Sequence, residues 1–173
     1  MNRSTRVVMM SLMSVAVLAG CKKTVKEEAP PMAEPGTSTA PVMDTTTTAG
    51  AYGPNDLDTD ACLRQRVVYF DLDQDALKPE FQAIVACHSK YLRDRPSSRV
   101  NLEGNADERG SREYNLGLGE RRGNAVSSAM QAQGGSAGQQ TVISYGEERP
   151  VCTESSEDCW ARNRRVEIIY TAK

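Results

Sequence analysis

Asp107 and Arg122 stand near the two ends of one short segment, and their types and spacing are the best placed in this chain to do chemistry. A carboxylate attracts an ammonium, and a planar guanidinium offers two parallel donors to a carboxylate. Together they suit a small zwitterion. The same two residues could instead form a structural ion pair that closes a loop onto a helix, and their types alone leave both readings open. Asn115 and Arg122 are seven residues apart, so on a helix they share one stripe, about 10 Å long, that can face the loop holding Asp107.

A strand, a loop and a helix must position these groups. Val100 and Leu102 alternate with Arg99, Asn101 and Glu103, which predicts a half-buried strand ending at Gly104. Asp107, Glu108, Arg109 and Gly110 crowd the turn that follows, and from Ser111 the spacing becomes helical, with Tyr114, Leu118, Ala125, Val126, Ala129 and Met130 on one side. Gly134 and Gly135 close that helix. Upstream, Arg66 to Phe70 is a strand-length apolar run ended by the acidic turn Asp71 to Asp75. Pro79 opens a helix with Phe81, Ile84, Val85, His88, Tyr91 and Leu92 inward, and the helix stops before Pro96. Thr141 to Tyr145 and Arg165 to Tyr170 supply two more strands, separated by an irregular stretch. The order β-α-β-α-β-β predicts an α+β fold with helices packed on one face of a mixed four-stranded sheet. His88, the only histidine, is expected to be a helix residue with a satisfied ring.

The N-terminal residues read as an address. Arg3 and Arg6 precede an apolar run, Val7 to Val17, that is too short to span a bilayer as a permanent helix. Residues 1–20 are therefore expected to be a signal peptide. Leu18-Ala-Gly-Cys21 resembles a lipobox, which implies diacylation of Cys21, and two acyl chains anchor stably at about 0.8 kcal/mol per buried methylene. Lys22 stands where an inner-membrane retention signal usually has an aspartate, which favours the outer membrane. Residues 21–60 are rich in Pro, Thr and Ala with no periodic apolar face, which predicts a disordered tether reaching roughly 35 Å on flexible-coil scaling. Residues 61–173 are then one folded head.

Composition removes several classes. The net charge of −2, with no basic stripe interleaved with aromatics, argues against nucleic acid as a partner. Four cysteines follow Cys21, and an exported chain sits where disulfides persist. Of the three pairings, Cys62 with Cys87 would clip the entering chain to the first helix, and Cys152 with Cys159 would close a short loop. A zinc site from all four lacks the close Cys spacing that such sites show, so no metal is expected. Asp71, Asp73, Asp107 and Glu108 could be imagined as the paired acids of a murein hydrolase. An arginine beside the acid favours its ionised form, hence binding over general-acid work, and no enzyme activity or cofactor is expected.

Val68-Tyr-Phe-Asp-Leu-Asp73, Gly104-Asn-Ala-Asp-Glu-Arg-Gly110, Glu113-Tyr-Asn-Leu116, Gly119-Glu-Arg-Arg122, Ser144-Tyr-Gly146 and Asn163-Arg-Arg165 together resemble the OmpA-like peptidoglycan-binding domain. The resemblance covers nearly all of the chain after Arg66. It implies noncovalent binding to the diaminopimelate of the peptidoglycan stem, an outer-membrane anchor, and TolB with other Tol-Pal components as partners. It places the ligand's ammonium on Asp107 and its carboxylate on Arg122, with Asn115 adding a hydrogen bond. Phe70, Asp71 and Asp73 are expected to form the opposite wall, and Leu116 and Arg109 to join the peptidoglycan-binding set. Asn163, Arg164 and Arg165 are open to two readings, as contacts to glycan or TolB, or as braces for the loop before the last strand. The chain departs from the family pattern at Asn105, often His, and at Gly117 and Gly123, which cost a helix roughly 1 kcal/mol each. Exchanging Asp107 or Arg122 for alanine is expected to abolish wall binding and to leave melting near wild type.

Overall fold

A computed structural model describes residues 50–173, so the expected signal peptide, Cys21 and most of the expected tether lie outside the described residues. The elements are α1 (Asp56–Thr59), β1 (Val67–Tyr69), α2 (Gln82–Asp94), β2 (Arg99–Asn105), α3 (Arg112–Ala132), β3 (Gln140–Gly146), α4 (Glu157–Asn163) and β4 (Arg165–Ala172). A 3-10 turn at Pro79–Phe81 leads into α2, where proline's missing N–H costs nothing. The sheet order is β1-β4-β2-β3, with β2 and β3 parallel and β4 antiparallel to both of its neighbours. This is the mixed four-stranded sheet that the sequence predicts.

Alternation along the strands decides what is buried. Val68, Val100, Leu102, Val166 and Ile168 point to one face and pack with Ile84, Val85 and Leu92 of α2 and Val126 and Met130 of α3. Each such side chain contributes roughly 2 kcal/mol of hydrophobic stabilisation. Helix α3 lies unusually low on the sheet. A Cβ built at Gly104 falls 1.9 Å from the carbonyl oxygen of Gly119, and one at Gly123 falls 2.6 Å from Val142 Cγ1. Gly123 is therefore a close-approach position, which corrects its reading as a mere helix cost; Gly117 meets only the end of the Arg121 side chain.

The head begins earlier than residue 61. Leu57, in the stretch assigned to the tether by composition, is fully buried with Leu63 and Tyr91, and Tyr52 packs against them. The Tyr52 N–H donates to Asp94 Oδ2 at 2.9 Å. Cys62 is bonded to Cys87, fastening this strap to α2, and Cys152 is bonded to Cys159, as the pairing of choice anticipates. The stretch expected to be irregular before β4 contains α4, capped by Ser156, whose hydroxyl accepts from the Cys159 N–H.

His88 is fully buried and bonded to Tyr170, which packs against both apolar clusters. Its Nε2 is 2.9 Å from the Gln65 carbonyl, which can only accept, so Nε2 carries the proton and Nδ1 accepts from the Tyr170 hydroxyl at 2.9 Å. Burial pushes the His88 pKa down from 6.5 to about 4; the bond to Gln65 opposes this and the Arg66 charge adds to it. The unfolded chain takes up its proton near 6.5, so between the two values it holds more protons than the folded one. Stability is expected to fall by on the order of 3 kcal/mol as pH drops through that window. Urea melts of wild type at pH 7 and pH 4.5, beside those of His88→Gln, check this; an equal acid sensitivity in the variant would refute it.

Candidate functional site

The loop between β2 and α3 is shaped by its own sequence. Gly110 has φ +115°, a backbone state that side chains disfavour, and Ser111 then caps α3 by accepting from the Tyr114 N–H at 3.2 Å. Asn115, one turn into the helix and 1% exposed, returns its amide to the loop. Its Nδ2 donates towards the carbonyls of Asp107 (3.2 Å) and Arg109 (3.3 Å) and to Glu147 Oε2 (2.5 Å). The helix so holds the loop against it, and the carboxylate of Asp107 faces a cleft of about 410 Å³.

Asp73, Asp107, Arg109, Asn115, Arg122 and Arg164 supply the polar lining of that cleft, and Leu72, Tyr114 and Leu118 the apolar part. Asp107 and Arg122 do share one site. They are not an ion pair: Asp107 bonds to Arg109 Nη2 at 2.7 Å and to Arg164 Nη1 at 3.1 Å. Burial raises the Asp107 pKa, but hydrogen bonds from the Arg109 side chain and backbone and from Arg164 outweigh it and hold the carboxyl below its ordinary 3.8. An acid held ionised in this way is unsuited to general-acid catalysis.

Arg122 is fully buried at the base of the cleft. It donates through Nε to the Gln74 carbonyl (2.8 Å), through Nη1 to that of Asn105 (2.9 Å) and through Nη2 to that of Asp71 (3.1 Å). Three of its five N–H groups are so used, and one remains on each terminal nitrogen. Its guanidinium lies over the Phe70 ring, 5.3 Å from the centroid. Among the described residues no carboxylate comes within ion-pair distance of it. Burial, helped by repulsion from Arg164 and opposed by Asp107, brings its pKa down to about 10.

The expected wall after β1 is present with altered roles. Phe70 is 2% exposed and supports Arg122 from below without lining the cleft. Asp71 contributes its carbonyl, while its carboxylate turns outward to Lys78 at 3.3 Å. Asp73, at φ 58°, does line the cleft and accepts from the Tyr114 hydroxyl. Leu116 stands outside the lining; its carbonyl accepts from Ser144 Oγ at 2.6 Å. Tyr114, placed on the apolar side of α3 by periodicity, is 45% exposed at the cleft.

Arg164 takes a place in the site that neither of its two readings assigns. It follows α4, is 5% exposed, and ties Asp107 to the Phe70 carbonyl (3.1 Å) and to Glu157 (2.7 Å). Asn163 and Arg165 are buried and bonded to backbone of the 149–152 loop, so they brace it. The available signal for Arg164 was its position in the polar run Asn163-Arg-Arg165 at the start of a strand pattern.

Comparisons with known proteins agree with this architecture. A sequence profile described as the OmpA family matches residues 69–164. A peptidoglycan-associated lipoprotein of Pseudomonas putida is 48% identical over 124 residues, 68% of this chain and 74% of the relative. One from Pasteurella multocida is 35% identical over 170 residues, 98% of this chain and 100% of the relative. The crystal structure of the peptidoglycan-associated lipoprotein from Burkholderia pseudomallei superposes with a TM-score of 0.66 at 38% identity, covering 67% of this chain and 98% of that one. With residues 69–164 matched by the family profile and a relative aligned along nearly its whole length, the chain belongs to the OmpA family, alongside the peptidoglycan-associated lipoproteins.

Proposed function

We propose that the head binds peptidoglycan noncovalently through the free end of a diaminopimelate residue in the peptide stem. That end is one carbon bearing an ammonium and a carboxylate. Asp107 takes the ammonium and Arg122 the carboxylate. The observation that carries this reading is Arg122, a buried guanidinium that faces a cleft with two unspent N–H groups and no carboxylate partner among the described residues. A buried charge in that condition is costly until an anion reaches it. The relatives are peptidoglycan-associated lipoproteins, which supports the same ligand.

Acylated Cys21 anchors the chain at the periplasmic face of the outer membrane, and the residues up to the strap at Tyr52 give the head its reach. In this arrangement the protein links outer membrane to wall without catalysis, as a component of the Tol-Pal system with TolB as partner, serving envelope integrity and cell division. Co-purification with TolB separates this assignment from service in another envelope machine.

Co-sedimentation with diaminopimelate-type sacculi tests the binding reading. Wild type is expected to pellet intact, to release no soluble murein fragments, and to be freed by excess meso-diaminopimelate. Asp107→Asn keeps the shape and removes the charge, so its binding is expected to weaken about tenfold or more with an unchanged circular dichroism spectrum. Wild type that stays in the supernatant would refute the ligand, and an Asp107→Asn protein that pellets like wild type would refute the ammonium assignment.

A further inference from the structure

The carboxylate that should receive the ammonium is already occupied. Asp107 Oδ1 accepts from the Arg109 backbone N–H at 3.1 Å and from Arg109 Nε at 3.3 Å. Oδ2 accepts from Arg109 Nη2 at 2.7 Å and Arg164 Nη1 at 3.1 Å. The two guanidinium groups are held very differently. Arg164 has a side chain only 6% exposed, with Nε on the Phe70 carbonyl and Nη2 on Glu157, so leaving Asp107 would break a buried network. Arg109 has a side chain 32% exposed, and its Nη1 is 3.4 Å from Glu157 Oε2. Its guanidinium also lies over the Trp160 ring, 4.1 Å from the centroid. That indole is fixed in turn by its Nε1 donating to Glu108 at 3.0 Å.

We propose that Arg109 is a displaceable cap on the ammonium subsite: the incoming ammonium replaces its guanidinium on Asp107, and the guanidinium shifts across the Trp160 face towards Glu157. This rests on the reading of Asp107 as the ammonium's partner. The exchange is feasible because a second carboxylate and an aromatic face stay with Arg109 when it lets go, so no cation is stranded. In the empty site the cap keeps Asp107 compensated. Its competition weakens every ammonium ligand by the same factor. A ligand that brings an amine alone then gains little, whereas one that also brings a carboxylate to Arg122 keeps a net gain.

Trp160, the only tryptophan in the chain, reports on the exchange. The full-length protein is titrated with meso-diaminopimelate by calorimetry and by tryptophan fluorescence, beside Arg109→Gln, which keeps a stem over the indole, and Arg109→Ala. Both variants are expected to bind about fivefold more tightly, as removal of a partly exposed ion pair predicts. The fluorescence change seen on saturating wild type is expected to vanish in Arg109→Ala. Unchanged or weaker affinity in folded variants overturns the cap, weaker affinity meaning that Arg109 holds the ligand itself. A wild type whose fluorescence is unmoved at saturation overturns it too. Failure of the underlying site reading shows separately, as wild-type affinity in Asp107→Asn.

Discussion

Gly104→Ala is expected to destabilise the head by about 3 kcal/mol or more, enough to lower its melting temperature by roughly 10 °C. The added methyl would fall 1.9 Å from the Gly119 carbonyl oxygen, 2.6 Å from its carbon and 3.1 Å from its Cα. All three are backbone atoms, so no rotamer change relieves the overlap and α3 must lift from the sheet. Lifting it opens the contacts around Gly123 and Val142 and strains the 2.6 Å bond from Ser144 Oγ to the Leu116 carbonyl. Asn115 and Arg122 ride on the same helix, so weakened ligand binding is expected to accompany the loss of stability. Gly117→Ala is the control. Its methyl meets only Arg121 Nη1 at 3.4 Å, and alanine's better helix propensity should stabilise by up to about 1 kcal/mol. Urea denaturation of the two variants checks this; similar midpoints would show that the helix and sheet can separate cheaply.

The glycines also explain what could and could not be read in advance. Strands were legible because alternation is a local signal, and Val166 and Ile168 are inward as the pattern demands. Helix α3 has a weak apolar stripe because its buried side includes Gly119, Gly123, Asn115, Ser127 and Arg122 among Leu118, Val126 and Met130. Small residues there mark a close backbone approach whose partner, Gly104, is identified only in three dimensions. Helix α4 has no apolar period; it stands on a serine cap, on the Cys152–Cys159 bridge and on the bonds of the residues around it. Ser156 followed by Glu157 and Asp158 was the available start signal. Leu57 was hidden as a lone apolar residue in polar surroundings, and its burial depends on Leu63 and Tyr91.

The site divides along the same line. Residue types proposed an acid and a guanidinium in one site, and Asp107 and Arg122 do line the same cleft. They did not state the pairing, because Asp107 could meet Arg109 two residues on, Arg122 on the helix, or Arg164 at the far end of the domain. Packing chose Arg109 and Arg164 and left Arg122 to backbone carbonyls. That choice leaves one guanidinium at the cleft with two N–H groups unpaired among the described residues.

It also changes what substitution of Arg122 should do. The expectation from sequence, lost wall binding with near-wild-type melting, treats the residue as a surface contact, whereas Arg122 ties together carbonyls of Asp71, Gln74 and Asn105. Arg122→Ala leaves these acceptors without their donor and a void where a large buried side chain stood. A loss of about 3 kcal/mol follows, alongside the loss of binding. Some of the cost is returned, because an uncompensated buried charge disappears with the side chain. Arg122→Lys separates the two effects. A single ammonium cannot span carbonyls contributed by the loop after β1 and by the end of β2, nor present a planar fork to a carboxylate, so stability and binding are both expected to drop while the charge is kept. Melting with and without saturating meso-diaminopimelate is the measurement, since a ligand that binds only the folded state raises the melting temperature. Wild type should rise with ligand, and Arg122→Lys should melt lower and stay unmoved by it. A lysine variant that keeps the full ligand-induced rise would remove Arg122 from the site, and an alanine variant that melts like wild type would mean that the three carbonyls find other donors.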